Sequence, residues 1–144
     1  MEFGICLPNF ALTEQQDLVS TPFIIEAAKT AEKLNYHSIW VTDHIVLSHD
    51  YTRLGPLLYE PVAVLSYVAA VTQRIALGTS VLVIPYRNPV ILAKALATID
   101  QMSNGRLIYG AAAGHMKEEF DALAVPLENR GTRSDEYLQV IEAL

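Results

Sequence analysis

The sequence predicts an α/β fold built on a parallel sheet, and three observations predict it. Apolar, β-branched runs alternate with helical patterns along the chain. Three of those helical patterns open on a proline, at Pro22, Pro61 and Pro89. The runs begin at intervals of roughly 30–40 residues, the span of one strand-plus-helix unit in a β/α protein. The 144 residues carry a formal charge of −6 and are 51% hydrophobic, which suits one compact domain over 1–144.

"FGICL" reads as a short buried strand. "STPFIIEAAKTAEKL" follows as a helix with a cap at Thr21 and an apolar face of Phe23, Ala27, Ala31 and Leu34, ended by Asn35. "SIWVT" is a second strand. After a polar loop with Gly55 and Pro56, "EPVAVLSYVAAVTQ" begins a helix on Pro61. "RIALGTSVLVI" is a third strand, followed by a helix that Asn88 caps and "NGR" stops, and "RLIYGAAAG" is a fourth. "HMKEEFDAL" reads as a short helix. In the closing "RGTRSDEYLQVIEAL", Thr132 and Asp135 make a capping-box-like start, and Tyr137, Leu138, Ile141 and Leu144 an apolar stripe.

Four strand-then-helix units fit half of an eight-unit barrel or a small doubly wound sheet. The first turn, "LPNFAL", lacks a glycine-rich dinucleotide fingerprint, and no Walker-type "GK[ST]" occurs. Periodicity leaves both architectures open.

Scattered lysines and arginines in an acidic chain offer no basic stripe, which argues against nucleic acid and anionic membranes as partners. Glu2 stands where a secretory signal carries positive charge, and no stretch approaches the ~20 apolar residues of a membrane span, so the expected compartment is the cytoplasm. Cys6 is the single cysteine and is expected to be a buried small hydrophobe in its strand. His37, and His49 beside Asp50 and Tyr51, read as turn and loop residues, because no spacing supports a metal site.

In parallel β/α proteins, ligands bind at the carboxyl ends of the strands, where the loops converge. Asp43 and His44 follow the second strand: an imidazole there can exchange a proton near neutral pH, with Asp43 to orient it. A structural pair capping the loop is the alternative. After the third strand, Gly78, Thr79 and Ser80 permit close approach by a flat ligand, or mark a bulge. The fourth strand runs through the small residues of "YGAAAG" to His115, gathering backbone N–H groups and an imidazole at the same rim. Glu118 and Glu119 read as a solvated first helical turn, favoured by the helix dipole. Trp40, Tyr59 and Tyr67 read as core, and Tyr86 as an aromatic placed in a rim loop.

Taken together, "SIWVTDH", "RIALGTSVLVIPYRNPVILAKALATIDQMSNGRL" and "MKEEFDALAVPLENRGTRSDEYLQVI" resemble, in order and spacing, the N-terminal half of the luciferase-like monooxygenase family, especially its deazaflavin-dependent oxidoreductase branch. The resemblance implies about half of a TIM barrel that holds coenzyme F420, the first choice, or FMN at its carboxyl end. It implies that Asp43 and His44 lie near ring and substrate as the catalytic pair, with His44 as acid or base. It also implies that Thr79, Ser80 and Val81 form the ring platform, with a non-proline cis peptide at Ser80–Val81, and that Gly110, Ala112 and His115 complete the cofactor site.

The activity implied is hydride transfer between the ring and a small organic substrate. An FMN-dependent monooxygenase using reduced flavin and oxygen is an alternative, and a truncated half-barrel without turnover is another. The chain departs from the family in "GAAAGH", where relatives typically show "GVGVGW" or a glycine followed by glutamate. A half barrel exposes two sheet edges, so a homodimer closing an eight-stranded ring is expected.

Overall fold

A computed structural model describes residues 1–47 and 54–144. Its strands are β1 (Gly4–Cys6), β2 (Phe10–Leu12), β3 (Ser38–Val41), β4 (Leu54–Leu58), β5 (Ala76–Thr79), β6 (Leu82–Val83), β7 (Leu107–Ile108) and β8 (Ala111–Ala112). Its α-helices are α1 (Thr21–Lys33), α2 (Pro61–Val71), α3 (Pro89–Ser103), α4 (Lys117–Ala122) and α5 (Arg130–Ala143). Strands β1, β3, β5 and β7 form one parallel sheet in that order, with neighbouring strands one β/α unit apart in sequence. His49, Asp50 and Tyr51 lie outside the described residues.

Strand register sorts the side chains onto two faces. Ile5, Ile39, Leu77 and Leu107 stand side by side across the sheet. Ile39 and Leu77 are fully buried in a core with Ile24, Ala28 and Ala31 of α1 and Val64, Leu65 and Val68 of α2. One residue further on, Cys6, Trp40, Gly78 and Ile108 align on the opposite face, as the period of two requires. There the Trp40 indole lies across two glycines. A Cβ would come within 2.4 Å of it at Gly4 and 2.3 Å at Gly78. The flat group that Gly78 accommodates is therefore Trp40, not a ligand. Cys6 is exposed, contrary to expectation, because β1 is an edge strand and this face carries no helix.

Local capping explains most helix boundaries. The Glu60 carboxylate accepts the Ala63 N–H at 2.8 Å, and the Asn88 side chain accepts those of Val90 and Ile91. Asn35 and Asn104, with φ of 59° and 60°, turn the chain after α1 and α3. At α1 the cap position is Ser20 rather than Thr21, and its side chain makes no capping bond. Helix α5 starts at Arg130, so Thr132 and Asp135 lie inside it, and of its expected stripe Ile141 packs on Leu82, Leu92 and Leu96 while Leu144 is exposed.

At the amino end of the sheet, one carboxylate closes the turn into β5. Glu32 Oε1 accepts the backbone N–H groups of Gln73, Arg74 and Ile75 at 2.9, 2.7 and 3.0 Å. Partial burial pushes this carboxyl up, but the three N–H groups and the Arg74 charge outweigh it and hold it below the ordinary 4.5. A depressed folded-state value adds stability above the unfolded value, and that stability is lost as pH falls through the folded one. The melting-temperature gap between wild type and Glu32→Gln is therefore expected to be widest near neutrality and to close in acid. A gap equal at about pH 3 and about pH 7 contradicts this account.

One strand pair and two strand breaks were not legible in the sequence. The segments around "FAL" and "PLLY" pair antiparallel as β2 and β4, which the sequence suggests only as turn and loop. The expected third strand splits into β5 and β6 at a cis Ser80–Val81 peptide, and the fourth into β7 and β8. Among the described residues, no helix is long and apolar enough to cross a membrane, and no cluster of His, Cys, Asp and Glu could hold a metal.

Candidate active site

The carboxyl ends of β3, β5 and β7 open into a cleft of about 460 Å³. Its lining includes Asp43 and His44, Ser80 and Val81, Ala112 to His115, Tyr86, Glu119 and Arg130. Six of the residues expected at the site thus meet here: Asp43, His44, Ser80, Val81, Ala112 and His115. The cis Ser80–Val81 peptide is pinned on both sides, Ser80 N donating to Val41 O at 2.7 Å and Leu82 N to Gly110 O at 2.8 Å. Val81 is left 38% exposed, an apolar side chain facing the open cleft.

Thr79 and Gly110 are placed differently from the expected ring contacts. The buried Thr79 hydroxyl accepts the Gly110 N–H at 2.9 Å and donates to the Gly110 carbonyl at 2.8 Å. A Cβ on Gly110 would stand 2.0 Å from Thr79 O. The pair forms a latch beneath the cleft, and neither residue lines it. Strand alternation is the reason: Thr79 follows Leu77 onto the helix-facing side.

Asp43 does not orient His44. Its fully buried carboxylate receives both Arg87 Nη groups, at 2.6 and 2.9 Å, and the Val83 N–H at 2.8 Å. Arg87 also donates to Glu60 at 2.7 Å. Burial alone would pull the Arg87 guanidinium down, but Asp43 and Glu60 outweigh it and raise it. Asp43 is thus paired with Arg87 rather than with His44, in an ion pair that fastens the exit of β3 to β6 and to the start of α2.

The group behind His44 is Glu119, which the sequence suggested as a solvated residue. It is 1% exposed and accepts the Ile45 N–H at 2.7 Å and the Tyr86 hydroxyl at 2.8 Å, while His44 Nδ1 lies 3.2 Å from Oε2. Burial pushes the Glu119 carboxyl up, but His44, the Ile45 N–H and the Tyr86 hydroxyl outweigh that and hold it below its ordinary value. Burial and Glu119 together push the Tyr86 phenol upward. Tyr86 is buried, its ring packed T-shaped against Phe120 with centroids 5.0 Å apart, and its hydroxyl is committed to Glu119. A sequence signal for Glu119 existed: Met116, Glu119, Phe120 and Leu123 follow a helical i, i+3, i+4, i+7 spacing, putting the carboxylate on the apolar face.

His115 is exposed at the opposite lip. Beside it, Arg130 Nε donates to Gly114 O at 3.0 Å and Nη1 to Leu127 O at 3.3 Å, tying the start of α5 to this turn. Gly114 has φ of 77°, and a Cβ there would reach 2.6 Å from Val83, so a glycine is required. A second, larger and mainly apolar cleft of about 580 Å³ lies between α1 and α2, lined by Ile24, Tyr59, Val64 and Tyr67 among others. Among the described residues of its lining Glu60 is the one acid, and both its oxygens are engaged by Ala63 N and Arg87.

Parallel β/α units with a cleft at the carboxyl ends of their strands are the arrangement of TIM barrels. The chain belongs to the luciferase-like monooxygenase family, whose sequence model matches residues 1–144. It is 27% identical over 133 residues to the alkanal monooxygenase alpha chain of Photorhabdus luminescens, covering 90% of this chain and 34% of that one. It is 36% identical over 97 residues to an F420-dependent glucose-6-phosphate dehydrogenase of Amycolatopsis mediterranei, covering 67% and 28%. Its fold matches the oxygenating constituent of a Pseudomonas putida 3,6-diketocamphane monooxygenase, solved in complex with FMN, with a TM-score of 0.80 at 18% identity over 99% of this chain and 38% of that one. The chain spans about a third of the length of the curated relatives it matches.

Proposed function

We propose that the chain carries the cofactor-facing rim of a flavin- or deazaflavin-dependent oxidoreductase that passes hydride between the cofactor ring and a small organic substrate. The observation that supports this best is the cleft itself. His44 is held on one wall by Glu119, Val81 projects from the pinned Ser80–Val81 peptide, and the residues facing them, Ala112 to Gly114, are all small. The residues fit a flat ring: an apolar platform, small residues opposite, and polar groups confined to the edges. Ser80, Val81, Ala112 and His115 would hold the ring, which when bound supplies the hydride donor or acceptor. His44 takes or gives the proton of the substrate hydroxyl or carbonyl, and the small residues leave the substrate room beside it.

F420 is the first choice, on the strength of the 36% identical F420-dependent relative. A monooxygenase using reduced FMN and oxygen is the second reading, favoured by the alkanal monooxygenase chain that matches over 90% of this one. A fluorescence titration of the purified chain with F420 and FMN in parallel tests the proposal. Saturable binding of one is expected, and Ala112→Leu, which fills the cleft, is expected to weaken it about tenfold or more with the fold intact. Binding of neither cofactor sinks the proposal. Oxygen uptake dependent on reduced FMN decides for the second reading.

Closure of the barrel is part of the same proposal. Within the chain the parallel sheet ends at β1 and β7, and a second copy related by a two-fold axis along the barrel would present β7 to β1 in parallel on both sides. Light scattering is expected to give twice the 15.9 kDa chain mass, and a monomer at micromolar concentration contradicts it.

A further inference from the structure

We infer that Glu119 is the positioning residue that fixes the tautomer of His44, so that Nδ1 carries the proton and Nε2 is presented bare to the cleft. The inference rests on the reading of His44 as the acid–base group, and it follows from a count of donors and acceptors around one buried carboxylate.

An ionised carboxylate accepts at about four lone-pair sites and donates nothing. Oε1 of Glu119 faces the N–H groups of Ile45 at 2.7 Å and Val46 at 3.4 Å. Oε2 faces the Tyr86 hydroxyl at 2.8 Å and His44 Nδ1 at 3.2 Å. The two backbone groups are donors by constitution, and the hydroxyl can satisfy Oε2 only by donating. Nδ1 must then donate too, because a bare Nδ1 would set its lone pair against an anion that is 1% exposed and has no proton to offer. With the proton on Nδ1, the neutral ring has its lone pair on Nε2, which has no hydrogen-bond partner among the described residues. That nitrogen is a base ready for a substrate hydroxyl. The opposite tautomer would place an N–H there, able only to donate.

The same geometry predicts what a neutral isostere does. In Glu119→Gln, the amide oxygen keeps the Ile45 N–H, and the amide NH2 turns to Tyr86 and His44. A donor now faces Nδ1, so Nδ1 becomes the acceptor and the proton moves to Nε2. Tyr86→Phe removes a competing donor and leaves the carboxylate, so it keeps the wild-type tautomer.

The test is a 15N spectrum of histidine-labelled chain, recorded where the His44 shifts no longer move as the pH is raised, with His44 identified by the signal lost in His44→Gln. Expected are Nδ1–H in wild type and in Tyr86→Phe, and Nε2–H in Glu119→Gln. Nε2–H in wild type overturns the inference, as does a Glu119→Gln spectrum in which the tautomer has not moved or a Tyr86→Phe spectrum in which it has. Should Glu119→Gln fail to fold, the wild-type and Tyr86→Phe spectra decide. The readout needs no cofactor. A chain that binds neither F420 nor FMN yet shows Nδ1–H defeats the oxidoreductase reading and leaves this inference standing.

Discussion

His44→Ala is expected to lower turnover by about 10²–10⁴-fold, the range of a lost general acid or base, while cofactor binding changes little. The side chain sits at the wall of the cleft, 19% exposed, with one ring nitrogen committed to Glu119. It is therefore in contact with solvent or substrate through the other nitrogen and contributes little to the core. The measurement is kcat and KM for hydride transfer, followed through the cofactor's own fluorescence, beside a binding titration of the same variant. Full turnover in His44→Ala removes the imidazole from the mechanism. A loss of binding equal to the loss of turnover would make it a contact for the ring instead.

Asp43→Ala is expected to cost about 3–5 kcal/mol of folding stability, because it takes the two-pronged buried partner from a mostly buried guanidinium. That is a large part of the about 5–15 kcal/mol that holds a typical domain together. Arg87 would keep Glu60 alone, and the Val83 N–H would lose its acceptor. Urea unfolding of Asp43→Ala, Arg87→Ala and the double variant measures this. The double variant is expected to cost clearly less than the two single costs together, since removing both charges leaves neither unpaired. Strict additivity would show that the pair is not coupled. The His44 tautomer in Asp43→Asn is expected to match wild type, which separates Asp43's structural role from the orienting role that its place in the sequence suggests.

What could be read from the sequence was what local chemistry dictates. Pro61 and Pro89 with their flanking Glu60 and Asn88 define helix starts within a few residues, and Asn35 and Asn104 define stops, so the β/α order was legible. The cis Ser80–Val81 peptide was legible only through the family resemblance. Pairing across distance was not legible. Strand β2 is three residues long and needs β4, whose paired residues lie 42 to 48 positions away, to exist as a strand at all. Glu119 looks like any acid in a first helical turn until donors 33 to 75 positions away converge on it. Thr79 and Ser80 are adjacent small polar residues, yet the pleat sends the first into the latch with Gly110 and leaves the second on the cleft. Asp43 next to His44 invites the reading of a catalytic dyad, whereas adjacent residues leaving a strand point to different sides.

Backbone amide NMR during titration with F420 or FMN locates the proposed ring seat between Ser80–Val81 and Ala112–Gly114. Saturable shifts concentrated at residues 42–44, 80–83 and 112–115 are expected. Shifts confined to the larger apolar cleft between α1 and α2, around Ile24, Tyr59 and Tyr67, would contradict it.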